Sequence, residues 1–331
     1  MDPLDDYLAG VRTHGAAFCG TLSEPPWSLR ITAPAPLSLV AMPRGRGWLT
    51  LQNEEPVLLE KGTISLVQAQ LPITVSDRPG GAALVEIDED DQCTLPQDGR
   101  PWQLTPTLLR DGEHAPGHGD LLVTASYRVG TERTRPLLRA LPPVSVVHAD
   151  GPLRALLEFV VAEVDSTLPG QRATLDRYLD LLLVQTLRVW FDTPGADTPA
   201  GYRALADPGV GQALRALHKD PARPWTVAAL AAEAGMSRTA FARRFTALVG
   251  SAPLGYLTEW RMTLAADALR SPEVTIASVA RQVGYNDAFA FSAAFKRVRG
   301  VSPSAHRALA RSDADAPSAL TEDAYGPAAP A

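Results

Sequence analysis

Two textures of hydrophobic spacing divide the chain. From about Gly10 to Leu141, apolar residues come in short runs at 28–32, 37–42, 47–51, 56–59, 64–67, 82–87 and 121–129, broken by Pro and Gly. Runs of this length predict the strands of an antiparallel sandwich or barrel. The stretch 88–120 is acidic and rich in Pro, Gly and Asp, which predicts a long, partly disordered loop. At Asp150 the period lengthens. Leu153, Leu156, Leu157, Val160 and Val164 recur at helical spacing, and so do Leu175, Tyr178, Leu179, Leu182, Leu183, Thr186, Leu187 and Trp190. These predict helices over about 150–164 and 172–191. The longer one has an apolar face wide enough to cover the β part and to leave a dimer seam, although an intradomain core explains it equally well.

Residues 192–206 have linker composition. Asp207-Pro208 then reads as a helix start, because Asp accepts free backbone N–H groups and Pro suits the first helical position. Beyond it, over 225–307, one pattern occurs twice. Gly235 pairs with Gly284, Phe241 with Phe291, Phe245 with Phe295, Gly250 with Gly300 and Pro253 with Pro303. Each copy is a short apolar helix, a Gly turn, a polar cap and a second helix. That is a helix-turn-helix, whose second helix is offered to the DNA major groove.

In the first copy Thr226 and Ser237 are the expected caps, and Phe241, Phe245 and Leu248 the buried stripe. The opposite face carries Arg238, Thr239, Ala242, Arg243 and Thr246, with Arg244 at its edge. Arg238 and Arg243 are candidates for gripping guanine, supported by Thr239 and Ala242; Arg244 and Thr246 are assigned to phosphate. A long helix over about 254–270, with Tyr256, Leu257, Trp260, Leu264 and Leu269, is the expected spacer, and Trp260 reads as core. In the second copy Thr275 and Asn286 are the expected caps, and Phe291 and Phe295 the core. Its outer face, Ala288, Phe289, Ser292, Ala293 and Lys296, is poor in long polar side chains. Phe289 and Ser292 are its base-facing candidates, and Lys296, Arg297 and Arg299 its phosphate contacts. Whether Phe289 faces DNA or the core stays open.

Charge sharpens this division. The net −6 of the 331 residues conceals a split. Residues 223–311 hold twelve Arg and Lys against five Asp and Glu, a net +7, and the remainder holds nineteen against thirty-two, a net −13. A basic segment on an acidic body fits one DNA-binding domain beside one that leaves DNA alone. No apolar run is long enough to cross a bilayer, the first residues are acidic, and two cysteines, Cys19 and Cys93, are too few for a disulfide scaffold. The expectation is a cytoplasmic protein with reduced thiols and no membrane contact.

The region 207–307 resembles the DNA-binding domain of the AraC/XylS family of bacterial transcription regulators. The residues that carry the resemblance are Ala228-Ala-Leu-Ala, Gly235-Met-Ser, Phe241-Ala-Arg-Arg-Phe, Pro253-Leu-Gly-Tyr-Leu, Arg261-Met, Ile276-Ala-Ser-Val-Ala, Val283-Gly-Tyr, Phe291-Ser, Phe295-Lys-Arg, Gly300-Val-Ser-Pro and His306-Arg. Where the family often has Arg between the core phenylalanines of the second recognition helix, this chain has Ala293, which implies weak base reading there. The stretch 3–190 is similar to the cupin-type sensor of one AraC subgroup, through Met1-Asp-Pro-Leu, Pro26-Trp27, Gly47-Trp48-Leu49, 136–143 and 181–188.

The resemblance implies an α+β two-domain chain: a cupin-like β-barrel sensor (1–149), a helical extension with dimerisation helices (150–191), a linker (192–206), an all-α double helix-turn-helix domain (207–308) and a disordered tail (309–331). It implies a one-component regulator that binds promoter double-stranded DNA and takes a small-molecule effector in the barrel. A homodimer, and RNA polymerase as partner for an activator, follow from the same resemblance. No catalytic residue, cofactor or metal is expected. His114 and His118 are four apart, but in a Gly/Pro loop, and the barrel stretches 37–42 and 70–75 contain no His. Two alternatives remain: a cupin metalloenzyme with a helical appendage, and a DNA-binding protein whose ligand-free barrel only dimerises.

Overall fold

The structure is a computed structural model. It describes every residue except 1, 23–25, 53, 69–70, 89–92, 97–118, 165 and 316–331. The elements run α1 (Pro3–Leu8), β1 (Arg12–Leu22), β2 (Ser28–Ile31), β3 (Leu37–Arg44), β4 (Gly47–Leu51), β5 (Val57–Leu59), β6 (Thr63–Val67), β7 (Ile73–Ser76), β8 (Val85–Ile87), β9 (Cys93–Thr94) and β10 (Asp120–Arg128). After these come α2 (Arg135–Arg139), β11 (Val144–His148), α3 (Gly151–Val164), α4 (Gln171–Asp192), α5 (Pro208–Lys219), α6 (Val227–Glu233), α7 (Arg238–Val249), α8 (Pro253–Ala268), α9 (Ile276–Gln282), α10 (Ala288–Arg299) and α11 (Pro303–Asp315). Among the described residues no helix is long and apolar enough to cross a membrane.

Two compact units emerge. The β unit holds Ala9–Gly130 and Thr134–Pro199; the helical unit holds Met1–Leu8, Thr131–Arg133 and the chain from Ala200 onward. In the β unit one sheet runs β1-β10-β3-β6-β11 and the other β5-β4-β7-β2-β8-β9. The expected barrel is thus two facing sheets. Between them lie Trp27, Leu29, Ile31, Val40, Met42, Leu49, Leu51, Leu59, Val67, Ile73, Val75 and Leu122. Strand β4 alternates buried and half-buried positions, as a sheet with one covered face should. Strands β3, β6 and β10 are buried on nearly every residue, so their sheet is covered on both faces. Helix α4 supplies part of the second cover: the Tyr127 hydroxyl donates to the Leu179 carbonyl at 2.8 Å, and the Thr13 amide donates to the Asp180 carboxylate at 2.9 Å.

Helices α3 and α4 fall where the 3.6-residue period put them. Strands β1, β9 and β11 were not among the expected ones, and β7 was expected only as part of the barrel stretch 70–75. Strand β1 is rich in Gly, Ala and Thr, and β11 is a five-residue run, so neither has a long apolar signature. The acidic loop expected over 88–120, with His114 and His118, falls almost wholly outside the described residues, as do the side chains of Cys19 and Cys93.

The helical unit follows the doubled pattern closely. Asp207 caps α5 by accepting from the Gly209 and Val210 amides, with Pro208 opening the helix. Thr226, Ser237 and Thr275 cap α6, α7 and α9 as expected. The cap of α10 is Asp287 rather than Asn286: its carboxylate accepts from the Phe289 and Ala290 amides at 3.1 and 2.9 Å. On α7 the stripe closes with Val249 in place of Leu248, since positions 241, 245 and 249 stay in line while Leu248 is exposed. The chain past 309, expected as tail, stays helical through Asp315.

Candidate nucleic-acid interface

Two ring pairs set the two motifs. Phe241 and Phe245 lie 5.5 Å apart between centroids, and Phe291 and Phe295 5.7 Å; all four are fully buried. Each such side chain contributes about 1.5–3 kcal/mol by leaving water. Helix α8 serves both motifs. Tyr256 meets Phe245 edge-on at 5.9 Å, whereas Met262, Ala265, Ala266 and Leu269 pack with Phe291 and Phe295. One rigid rod therefore carries both recognition helices.

A second tie runs through Arg261 and Gly284. The Arg261 guanidinium donates to the Pro221 and Arg223 carbonyls at 2.7 and 2.9 Å, and burial lowers its pKa. Gly284 has a φ of 82°, and a Cβ there would sit 2.4 Å from the Ala222 carbonyl oxygen. Only glycine meets both conditions. The turn of the second motif thereby seats against the loop that leads into the first. Gly235, its counterpart, has open space around it and needs glycine only for its φ of 63°.

Packing one face of α7 leaves Arg238, Thr239, Arg243 and Thr246 exposed, with Ala242 half-buried between them. The Thr246 hydroxyl turns back to the Ala242 carbonyl at 2.9 Å. Arg244 forms an ion pair with the Asp207 carboxylate at 2.5 Å, so the recognition helix is braced against the cap of α5. On α10, Phe289 is 86% exposed. An aromatic ring with no place in the core is available to a partner. Ser292 is half-buried, with its hydroxyl on the Ala288 carbonyl at 2.8 Å, and Lys296 and Arg297 are exposed. Arg299 differs from these. Its side chain is 18% exposed and donates to Glu132 at 2.8 Å and to Thr263 at 2.9 Å.

Glu132 introduces residues that the motif reading missed. It belongs to the three-residue segment Thr131–Arg133, which lies within the helical unit. There Asp267 of α8 accepts from the Glu132 amide at 2.6 Å and pairs with Arg133 at 3.2 Å. Burial raises the Asp267 pKa against the opposing pull of those donors. Helix α1 is the second such segment. Asp6, 2% exposed, lies 2.5 Å from His218 Nδ1, and His218 Nε2 lies 2.7 Å from the Tyr256 hydroxyl. The Tyr7 hydroxyl donates to the Ala200 carbonyl at 2.9 Å, and burial pushes its pKa up to about 12. Trp260 lies in the same nest, with its ring 4.6 Å from that of His218, and is core as expected. No periodicity marks these pairings, because Asp6 and His218 are 212 positions apart and Glu132 and Asp267 135.

Two stiffly coupled helix-turn-helix motifs, one with exposed arginines on its outer face and the other with exposed Phe289, Lys296 and Arg297, carried by a chain that also folds a double-sheet β unit, are the architecture of a DNA-binding regulator. Comparison with known proteins agrees. The Cupin family matches residues 2–192 and the helix-turn-helix domain family residues 230–308. A putative AraC-like transcription regulator of Streptomyces lividans is 34% identical over 314 residues, covering 93% of this chain and 98% of that one. The HTH-type transcriptional regulator AlkR of Acinetobacter baylyi is 35% identical over 203 residues, 59% of this chain and 65% of its own. Among solved structures, the DNA-binding domain of AdpA in complex with a target DNA is 36% identical and covers 33% of this chain and 96% of its own, at a TM-score of 0.31. The chain belongs to the AraC-like family of transcription regulators. It is a DNA-binding transcription regulator of the helix-turn-helix type.

Proposed function

We propose that α7 and α10 enter successive major grooves with unequal tasks. Arg238 and Arg243, with Thr239 and Ala242, read bases. Phe289 and Ser292 make the lesser, largely apolar base contacts of the second motif, while Thr246, Lys296 and Arg297 hold phosphate. Arg244 and Arg299 reach phosphate only by leaving Asp207 and Glu132, so they come second in that role. The observation that carries this reading is the contrast between the two exposed faces: free arginines on one, the ring of Phe289 on the other. The test is binding to the promoter next to the chain's own gene. Arg243→Ala should cost about 1–3 kcal/mol on the specific site and relax its preference, whereas Lys296→Ala should weaken all sequences alike and reduce the salt slope by about 1. Equal losses on specific and random DNA for both variants would reject the division.

The same proposal makes the β unit a sensor for a small molecule held between its sheets. Register supports this. Ser38 pairs with Val67 and Ser65 with Val40, which places both serines on the strand face that bears the inter-sheet core. Both hydroxyls are buried without a hydrogen-bond partner. A buried hydroxyl left unpaired costs about 1–3 kcal/mol, which a polar ligand group would recover. A homodimer is consistent with the exposed Phe159 and Leu181 of α3 and α4, and RNA polymerase is the further partner if the bound site activates.

A further inference from the structure

A pocket of the β unit lies on the outside of the sandwich, under α3. Its volume is about 630 Å³, within the range of small-molecule sites. One wall is a single face of α3, with Arg154, Leu157, Glu158, Val161 and Ala162 at helical spacing. The other is the ends of the covered sheet: Pro43 and Arg44 of β3, the Lys61–Gly62 turn, Leu121 of β10, and Ala149 after β11. That floor is fixed by backbone. The Gly62 amide donates to the Met42 carbonyl at 2.7 Å, and the Ala149 amide to the Gly62 carbonyl at 2.8 Å.

The lining combines aliphatic walls with three cations and one carboxylate. This is unexpected on the acidic part of the chain, where Lys61 is the one lysine before residue 219. Arg44 Nε is held by the Gly119 carbonyl at 2.9 Å, which fixes its guanidinium at the rim. Among the described residues neither Lys61 nor Arg154 is in an ion pair, and both are exposed. Lys61 and Arg154, two exposed cations beside an apolar hollow, complement a molecule with one anionic group and a compact apolar body.

We propose that this pocket binds a small organic acid, its carboxylate held by Lys61, Arg154 and Arg44 and its apolar body laid against Leu121, Leu157 and Val161. The site is separate from the inter-sheet space and does not rest on the effector reading given above.

Calorimetric titration of the full chain with 2-naphthoate, and with 2-naphthalenemethanol as its uncharged counterpart, tests the proposal. Naphthoate should bind at one saturable site, at least about 10-fold tighter than the alcohol. Replacing Lys61→Glu and Arg154→Glu together, both exposed and so compatible with an unchanged melting temperature, should weaken naphthoate at least about 10-fold and leave the alcohol unchanged. Ala162→Trp, which fills the hollow without altering charge, should weaken both probes. Ser38→Val with Ser65→Val, in the inter-sheet space, should change neither. The proposal is overturned if naphthoate fails to saturate at millimolar concentration, or if it binds equally well to the double-Glu variant. Loss of binding in the serine variant alone would place the probe between the sheets and overturn it too. An effect of naphthoate on DNA affinity bears on effector control only, so the two readings fail separately.

Discussion

Removing the Asp6 carboxylate should unfold the DNA-binding part of this protein more readily, although Asp6 lies at the opposite end of the sequence. In Asp6→Ala, the His218 Nδ1 position, fully buried, loses its acceptor 2.5 Å away. Water cannot replace that acceptor without opening the nest of Tyr7, Tyr256 and Trp260. A buried hydrogen bond to a charged group, lost with its partner left in place, costs about 3 kcal/mol. For a unit of this size that corresponds to a fall of roughly 10 °C in melting temperature. Differential scanning calorimetry of the full chain, with and without promoter DNA, would follow it, because the transition that DNA stabilises is the one that should move. His218→Ala should cost a similar amount, and the double variant little more than either single one, giving a coupling of about 2 kcal/mol. A shift of less than about 1 °C, or additive effects, would refute the claim that helix α1 is built into the DNA-binding unit.

Two further outcomes follow from the same unit. Asp207→Ala removes the cap of α5 and the brace on Arg244, and should lower stability by about 1 kcal/mol. The Asp207 pKa is depressed below 3.8, first by the Val210 amide and then by Arg244. Its contribution is therefore present above that pH and lost as pH falls through the lower folded value, so wild type and Asp207→Ala should converge in acid melts. Glu132→Ala leaves the largely buried Arg299 guanidinium without its carboxylate and should cost about 1.5–3 kcal/mol in urea unfolding. Glu132→Gln, which keeps an acceptor, should cost less.

The second half of the chain was legible because its signals are local. Caps, glycine turns and phenylalanines four apart act within one or two helical turns, so Thr226, Ser237, Thr275 and the four rings stand where the pattern put them. Asn286 and Asp287 are adjacent residues of similar capping ability, and only backbone geometry chooses between them. Leu248 and Val249 were exchanged for a similar reason, since spacings of three and four both fit a helical stripe. The β unit was less legible. Register, sheet order and the pairing of Ser38 and Ser65 with core valines depend on strands far apart in sequence. The insertion of Asp6 and Glu132 into the helical unit carries no periodic signature at all. Exposure of Phe289 was open in the sequence because the second motif has a third phenylalanine and room for two.

The central claim is that both motifs of one chain grip one stretch of duplex. Hydroxyl-radical footprinting of the full protein on the promoter next to its own gene measures this directly. Two protected patches about 10 base pairs apart on one side of the helix, the distal one lost in a variant carrying Lys296→Ala and Arg297→Ala, are the predicted result. A single patch that this variant leaves intact would contradict it.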